Sequence, residues 1–238
     1  MGLEQGGKSV HGASIGILML ETRFPRIPGD VGNALTWPFP VQYRVVPGAT
    51  PDAVVKGDPT ALMQAFIEEG RALIGQGCDG IATTCGLLVP LQDRLAAALG
   101  VPVATSSLMQ APMIRATLPP DRRIGILTIS AEGLKAEHLR AAGVPPETPV
   151  LGMPPEGAFA STFLGNRPTM DLEACRIDML MAAERLARSA TDIGAIVLEC
   201  TNMVPFAADI HRASGLPVYS IYSFLLWFQA ALSPRRFV

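Results

Sequence analysis

Charge is scarce in this sequence. Only 17% of its 238 residues are Asp, Glu, Lys or Arg, and the formal net charge is -2. No basic cluster interrupts the chain, so the electrostatic footprint of a nucleic-acid binder is missing and a small molecule is the expected partner. Lysine occurs only at Lys8, Lys56 and Lys135. None falls at a predicted strand end, where a Schiff-base cofactor would need one. Three histidines, at positions 11, 138 and 211, and four cysteines, Cys78, Cys85, Cys175 and Cys200, show neither C-x-x-C spacing nor the clustering of a zinc site. The first residues lack the basic start and apolar stretch of a signal peptide. The longest apolar run, 218–232, is broken by Ser220, Ser223 and Gln229 and is shorter than the roughly 20 residues of a bilayer span. These absences predict a cytoplasmic protein with no membrane or nucleic-acid partner, no pyridoxal cofactor and free thiols.

What is present is apolar. Hydrophobic residues make up 49% of the chain, a surplus that predicts a homo-oligomer. Short apolar runs alternate with helical patterns, the signature of βαβ units and a mainly parallel sheet. Strands are predicted at 14–20, 41–46, 80–83, 103–105, 123–129, 195–198 and 218–220. Helices are predicted at 58–74 behind the Asp58-Pro59 cap, at 89–99, from 107, and at 131–142, 170–189, 204–213 and the C-terminus. Residues 21–40 and 143–168 carry no pattern.

The pattern restarts after Pro119-Pro120. Ile15-Gly-Ile-Leu18 recurs as Ile124-Gly-Ile-Leu127. A shift of 115 positions, the separation of Cys85 from Cys200, also superposes Ile81, Val89, Pro90, Ala98, Gly100, Pro102 and Val103 on Ile196, Val204, Pro205, Ala213, Gly215, Pro217 and Val218. The prolines suit the first turn of a helix, and the glycines its left-handed end. The expected architecture is therefore α/β, with two pseudo-symmetric Rossmann-like lobes of mainly parallel sheet and the active site in the cleft between them. A flexible segment 1–13 precedes a lobe at 14–118 and a second at 119–238, with the terminal helix the candidate to pack across both.

Each repeated cysteine falls at the carboxyl end of a parallel strand and ahead of a helix, where ligands bind in such sheets. A helix N-terminus is expected to lower both thiol pKa values. Facing each other, two such thiols suit proton removal from one face of a carbon and delivery to the other. The N–H groups of Gly86, Leu87, Thr201 and Asn202, with the hydroxyls of Thr84, Thr128, Ser130 and Thr201, are candidates to hold a substrate carboxylate. Cys78 and Cys175, without repeat counterparts, are expected to be packing residues.

Thr83-Thr84-Cys85-Gly86 and Leu198-Glu199-Cys200-Thr201-Asn202-Met203 resemble the two active-site motifs of the aspartate/glutamate/hydantoin racemase superfamily, and the resemblance runs from Ser14 to about Leu232. It implies two Rossmann-like halves, no cofactor and Cys85 and Cys200 as acid and base, with Thr84, Gly86, Thr201 and Asn202 near the substrate carboxylate. The superfamily also holds maleate isomerases and arylmalonate decarboxylases. Glutamate racemases carry Cys-Asn-Thr-Ala and Cys-Thr-His at these sites, and the polar groups that read glutamate are largely missing from Cys85-Gly-Leu-Leu and Cys200-Thr-Asn. The expected activity is thus an isomerase, a racemase or epimerase of a small carboxylate such as an amino acid or hydantoin. The alternatives are a cis–trans isomerase, or a hydrolase or decarboxylase working through one cysteine. A non-catalytic binding protein on the same scaffold is a third class.

Other features carry less. Gly75-Gln-Gly-Cys-Asp-Gly80 has dinucleotide-binding spacing but follows a helix and precedes a strand, the reverse of the required order. Gly12-Ala-Ser-Ile-Gly16 lies ahead of a strand rather than at a strand-to-helix turn. Glu199, in an otherwise apolar strand, is expected either to pair with an arginine or to assist Cys200. Arg23, in the loop after the first strand, is a candidate carboxylate clamp. His211 is expected to face solvent.

Overall fold

A computed structural model describes residues 6–237. The apolar runs form two four-stranded, all-parallel sheets of identical order. In the first, β1 (Ile15–Met19), β2 (Val41–Val45), β3 (Gly80–Thr83) and β4 (Val103–Ala104) lie as β2-β1-β3-β4. In the second, β5 (Arg123–Thr128), β6 (Val150–Gly152), β7 (Ile193–Leu198) and β8 (Val218–Tyr219) lie as β6-β5-β7-β8. Every residue of β1 and β3 is buried, because parallel strands covered on both faces read as continuous apolar runs. The helices are α1 (Pro51–Val55), α2 (Met63–Gln76), α3 (Gln92–Leu99), α4 (Ala111–Thr117), α5 (Ala136–Ala141), α6 (Ala158–Phe163), α7 (Leu172–Ser189), α8 (Ala207–Ser214) and α9 (Ile221–Leu232).

The sequence repeat is a structural repeat. Six-residue 3-10 turns, Gly86–Leu91 and Thr201–Phe206, follow β3 and β7 and run into α3 and α8. Those helices end on Gly100 (φ 67°) and Gly215 (φ 69°), left-handed positions that suit a residue without Cβ. Ile81 is then registered with Val103, and Ile196 with Val218. Pro90 and Pro205 do not open their helices as expected. Each is the fifth residue of its 3-10 turn, where the tighter winding accommodates the ring ahead of the α-helix.

Two further expectations need correction. Residues 143–168, which lack pattern, contain β6 and α6; β6 is a short edge strand, half-buried throughout, so it shows no continuous apolar run. The helix expected at 131–142 starts only at Ala136, where Lys135 N–H donates to His138 Nδ1 and the chain before it forms a turn. Residues 1–5 of the segment expected to be flexible lie outside the described residues. Beyond them, Val10 N–H bonds Gln76 O at 2.9 Å and Lys8 Nζ bonds Gly77 O at 3.2 Å.

The lobes exchange their last helices. After β4 the chain crosses over, and Ala111 and Ile114 of α4 pack with Ile124, Ile126, Ala195 and Val197 of the second sheet. After β8 it crosses back, and Ile221, Phe224, Leu225 and Phe228 of α9 pack on Ile15, Ile17, Ala82 and Ala104 of the first. A boundary at 118/119 therefore cuts through shared cores. Part of the apolar surplus is spent between the lobes. Among the described residues no helix is long and apolar enough to cross a membrane.

A Phe228→Ala variant tests this exchange. Phe228 is 8% exposed and lies over β3, its ring 2.9 Å from where a Cβ on Gly80 would stand. Truncation should cost about 3–5 kcal/mol, read by urea titration. Because the cores are shared, a single transition is expected; two separated transitions would show that the lobes fold independently.

Candidate active site

In doubly wound sheets the loops leaving adjacent strands on opposite sides open a crevice at their carboxyl ends. Here β1 and β3 supply one set, the loop 21–40 and the Cys85 turn, while β7 supplies the Cys200 turn. Both cysteines cap their 3-10 turns and line one cleft between the lobes, together with Thr84, Gly86, Leu87, Glu199, Thr201 and Asn202.

Hydrogen bonds fix the two turns against each other. Thr201 Oγ1 donates to Thr84 O at 2.7 Å, and Ser107 Oγ donates to Leu198 O at 2.6 Å, each joining one lobe to the other. Leu20 N–H donates to Thr84 Oγ1 at 3.0 Å, tying β1 to the Cys85 turn. The loop 21–40 reaches the second turn. Gly29, at φ 100°, approaches Pro205 so closely that a Cβ would stand 2.9 Å from the proline Cα. Beside it, buried Asp30 accepts from Asn202 Nδ2 at 2.7 Å and from Arg26 Nη1 at 2.6 Å. Arg26 also donates to Thr22 Oγ1 at 2.9 Å and lies 4.8 Å from the centre of the Phe24 ring.

Electrostatics reverse the expected thiol chemistry. Burial and the Glu199 carboxylate push the Cys85 thiol up to about 12, against a smaller lowering by the Leu87 N–H. Burial and Glu199 likewise hold Cys200 well above the ordinary thiol range, against the Asn202 N–H, with Cys85 and Asp30 adding smaller increments. Desolvation is the largest influence on both sulfurs and outweighs the turn N–H groups that favour the thiolate. Both cysteines therefore rest as thiols. Glu199 is raised as well. Burial pushes its carboxyl up to about 7, although Thr128 Oγ1 donates to Oε2 at 2.8 Å.

The cleft gathers most of the nominated residues. Thr128 does not line it but holds Glu199 from behind. Ser130 turns away, its hydroxyl accepting from Gly133 N–H at 3.0 Å in the loop after β5. Arg23 is exposed and contributes its backbone N–H to Asn166 Oδ1. Arg26, three residues on, lines the cleft instead. The loop has no periodicity to separate the two arginines; the one signal in the sequence was Asp30, four residues after Arg26, where Arg23 has Ile27. Glu199 pairs with no arginine among the described residues; its side-chain partner is Thr128. Cys78 accepts from Gln42 Nε2, and Cys175 is buried in the second core. His211 is exposed. Among the described residues no three His, Cys, Asp or Glu side chains are grouped closely enough to hold a metal ion.

No family model matches the chain. It is 31% identical over 234 residues to dimethylsulfoniopropionate lyase 7 of Emiliania huxleyi, covering 93% of this chain and 68% of that protein. The chain belongs to the dimethylsulfoniopropionate lyase family. A dimethylsulfoniopropionate lyase of Durusdinium sp. clade D is 28% identical over 219 residues, with 89% of this chain and 72% of that protein covered. Solved structures show the racemase-superfamily fold that the cysteine motifs imply. Unliganded arylmalonate decarboxylase matches with a TM-score of 0.57 at 16% identity, covering 93% of each chain. A glutamate racemase isoform from Bacillus anthracis matches with a TM-score of 0.56 at 16% identity, covering 94% of this chain and 85% of its own. The family overturns the isomerase expected from the sequence, because the curated relatives are lyases. The motifs reported a scaffold that racemases and a decarboxylase also adopt.

The raised Glu199 pKa has a consequence for stability. From its ordinary value of 4.5 up to about 7, the folded chain retains a proton that the unfolded chain has released. Stability is therefore lost as pH rises through that window. Glu199→Gln, which carries no ionisable group and keeps an acceptor for Thr128, should melt several degrees above wild type at pH 8 and close to it at pH 5, by differential scanning fluorimetry. A difference independent of pH would place the Glu199 charge in solvent.

Proposed function

We propose that this chain is a lyase that eliminates a leaving group β to a small carboxylate, with dimethylsulfoniopropionate, the compound naming its relatives, as substrate. The observation that carries the proposal is a cleft in which a half-buried Cys85 and a buried Cys200 stand beside turn N–H groups, in a chain belonging to a lyase family. Removal of the proton α to the carboxylate leaves electrons that form the double bond as the C–S bond breaks. The products are acrylate, dimethyl sulfide and a proton. One base suffices, so the pseudo-symmetry of the cysteines need not extend to their chemistry.

Cys200 is the base in this proposal. Its Sγ donates to Asn202 Oδ1 at 3.6 Å, and Asn202 continues to Asp30 and Arg26, so its orientation is set by a polar chain. Both sulfurs border apolar cores, but no side chain among the described residues hydrogen-bonds the Cys85 sulfur. The N–H groups that open each turn, at Gly86 and Thr201, have no acceptor inside it and are assigned to the substrate carboxylate. A sulfonium beside the sulfur favours the thiolate over the thiol, because an opposite charge stabilises the ionised form. Expulsion of a neutral sulfide then relieves the positive charge.

Incubation with dimethylsulfoniopropionate should release dimethyl sulfide, measured by headspace gas chromatography, and acrylate in equal amounts. Cys200→Ser should lower kcat/KM by a factor on the order of 10³, within the range for loss of a general base, and Cys85→Ser by about tenfold. Equal losses in both variants would restore a two-thiol mechanism, and an intact substrate with wild-type protein would sink the proposal.

A further inference from the structure

The polar side chains lining the cleft are largely committed to one another. Arg26, the one cation lining it among the described residues, gives Nη1 to Asp30 and Nη2 to Thr22. Thr22 Oγ1 is thereby an occupied acceptor, as is Thr84 Oγ1, which takes the Leu20 N–H. Asn202 turns Oδ1 to Cys200 and Nδ2 to Asp30, and Thr201 Oγ1 is directed to Thr84 O. A second carboxylate on a ligand would therefore find no free cation. A primary ammonium, with three hydrogens to donate, would find few open acceptors and leave buried donors unpaired.

The remaining wall is apolar and aromatic. Phe24, from the loop after β1, and Phe163, from α6, both line the cleft, their ring centroids 4.8 Å apart and their planes at 75°. Phe24, Phe163 and Ile129 share one apolar cluster with Cys200. A group attached next to the carbon that Cys200 deprotonates therefore meets these rings. The Arg26 guanidinium stands 4.8 Å from the centre of the Phe24 ring, so this corner already accommodates a delocalised cation. Aromatic faces are negative and attract cations whose charge is carried on alkyl groups. Charge points the same way. Asp30 balances Arg26, whereas Glu199, 1% exposed and lining the cleft, takes part in no ion pair among the described residues. A cationic ligand complements that unmatched carboxyl.

We propose that the Phe24–Phe163 corner is an onium subsite, which receives the alkyl groups of a fully substituted, positively charged β-substituent. Through it the cleft selects monocarboxylates that carry a sulfonium or a quaternary ammonium over amino acids and dicarboxylates. The inference deepens the elimination reading above, on which it rests. A dimethylsulfonium has no N–H or O–H to satisfy, so it suits a wall without free acceptors. Its methyl groups lie on ring carbon while the turn N–H groups hold the carboxylate. The attraction weakens as the C–S bond breaks, because dimethyl sulfide leaves neutral. Phe24 and Phe163 thus act on ground-state binding more than on the chemical step.

Isothermal titration calorimetry of the whole chain with three probes tests the subsite. The probes are the trimethylammonium analogue of the substrate, its neutral isostere with carbon in place of nitrogen, and β-alanine. Wild type should bind the trimethylammonium compound about tenfold more tightly than the neutral isostere, the scale of a desolvated cation–π contact. β-Alanine should bind more weakly than the trimethylammonium compound, its ammonium donors being unpaired. Phe24→Leu and Phe163→Leu keep apolar bulk and should each remove most of the preference for charge, leaving the isostere's affinity within about twofold. With dimethylsulfoniopropionate both variants should raise KM several-fold and hold kcat within about threefold, the pattern of lost ground-state binding. Equal affinity of wild type for the charged and neutral probes overturns the inference whatever the variants do. So does a preference for charge that survives both Leu substitutions. Absence of dimethyl sulfide release from a wild type that keeps the preference overturns the elimination instead, and supports the subsite as a binding site for onium carboxylates.

Discussion

The reciprocal packing of α4 and α9 is the constraint from which the site follows. Each lobe ends in an apolar helix that its own sheet does not cover, and each finds its partner surface on the other sheet. Once both helices are placed, the carboxyl ends of β3 and β7 are held to one cleft. Hydrogen bonds of 2.6–2.7 Å from Ser107 and Thr201 then lock the distance between the lobes at the cysteine turns. Independent lobes would leave the two thiols on surfaces free to move apart.

That enclosure sets the chemistry. Inside the cleft, desolvation outweighs the turn N–H groups that favour the thiolate, so both sulfurs stay protonated. The same burial lifts a carboxyl toward neutrality. The carboxyl in the cleft is therefore a stronger acid than either thiol. The loop 21–40 closes the arrangement by carrying Asp30 and Arg26 to Asn202.

Much of the architecture is legible without coordinates. Buried parallel strands announce themselves as short runs such as Ile15-Gly-Ile-Leu18, and the shift that superposes Cys85 on Cys200 also superposes Pro90 on Pro205 and Gly100 on Gly215. The motifs lead to the right scaffold. They do not lead to the activity, since the isomerase expected from paired cysteines gives way to a lyase family. Arg26 and Ser130 show a second limit. Whether a loop arginine or hydroxyl faces a cleft depends on loop geometry, and 21–40 and 129–135 carry no periodicity to report it.

By itself the sequence determined the duplicated strand–turn–helix unit, the parallel sheets and the two cysteines at equivalent strand ends. Local pattern suffices there, because burial, prolines and left-handed glycines act on the residues that carry them. Only the tertiary structure decided that the terminal helices trade lobes, that Arg26 rather than Arg23 lines the cleft, and that the thiols are raised rather than lowered. Those outcomes depend on what surrounds a group from distant parts of the chain, and desolvation is a property of surroundings.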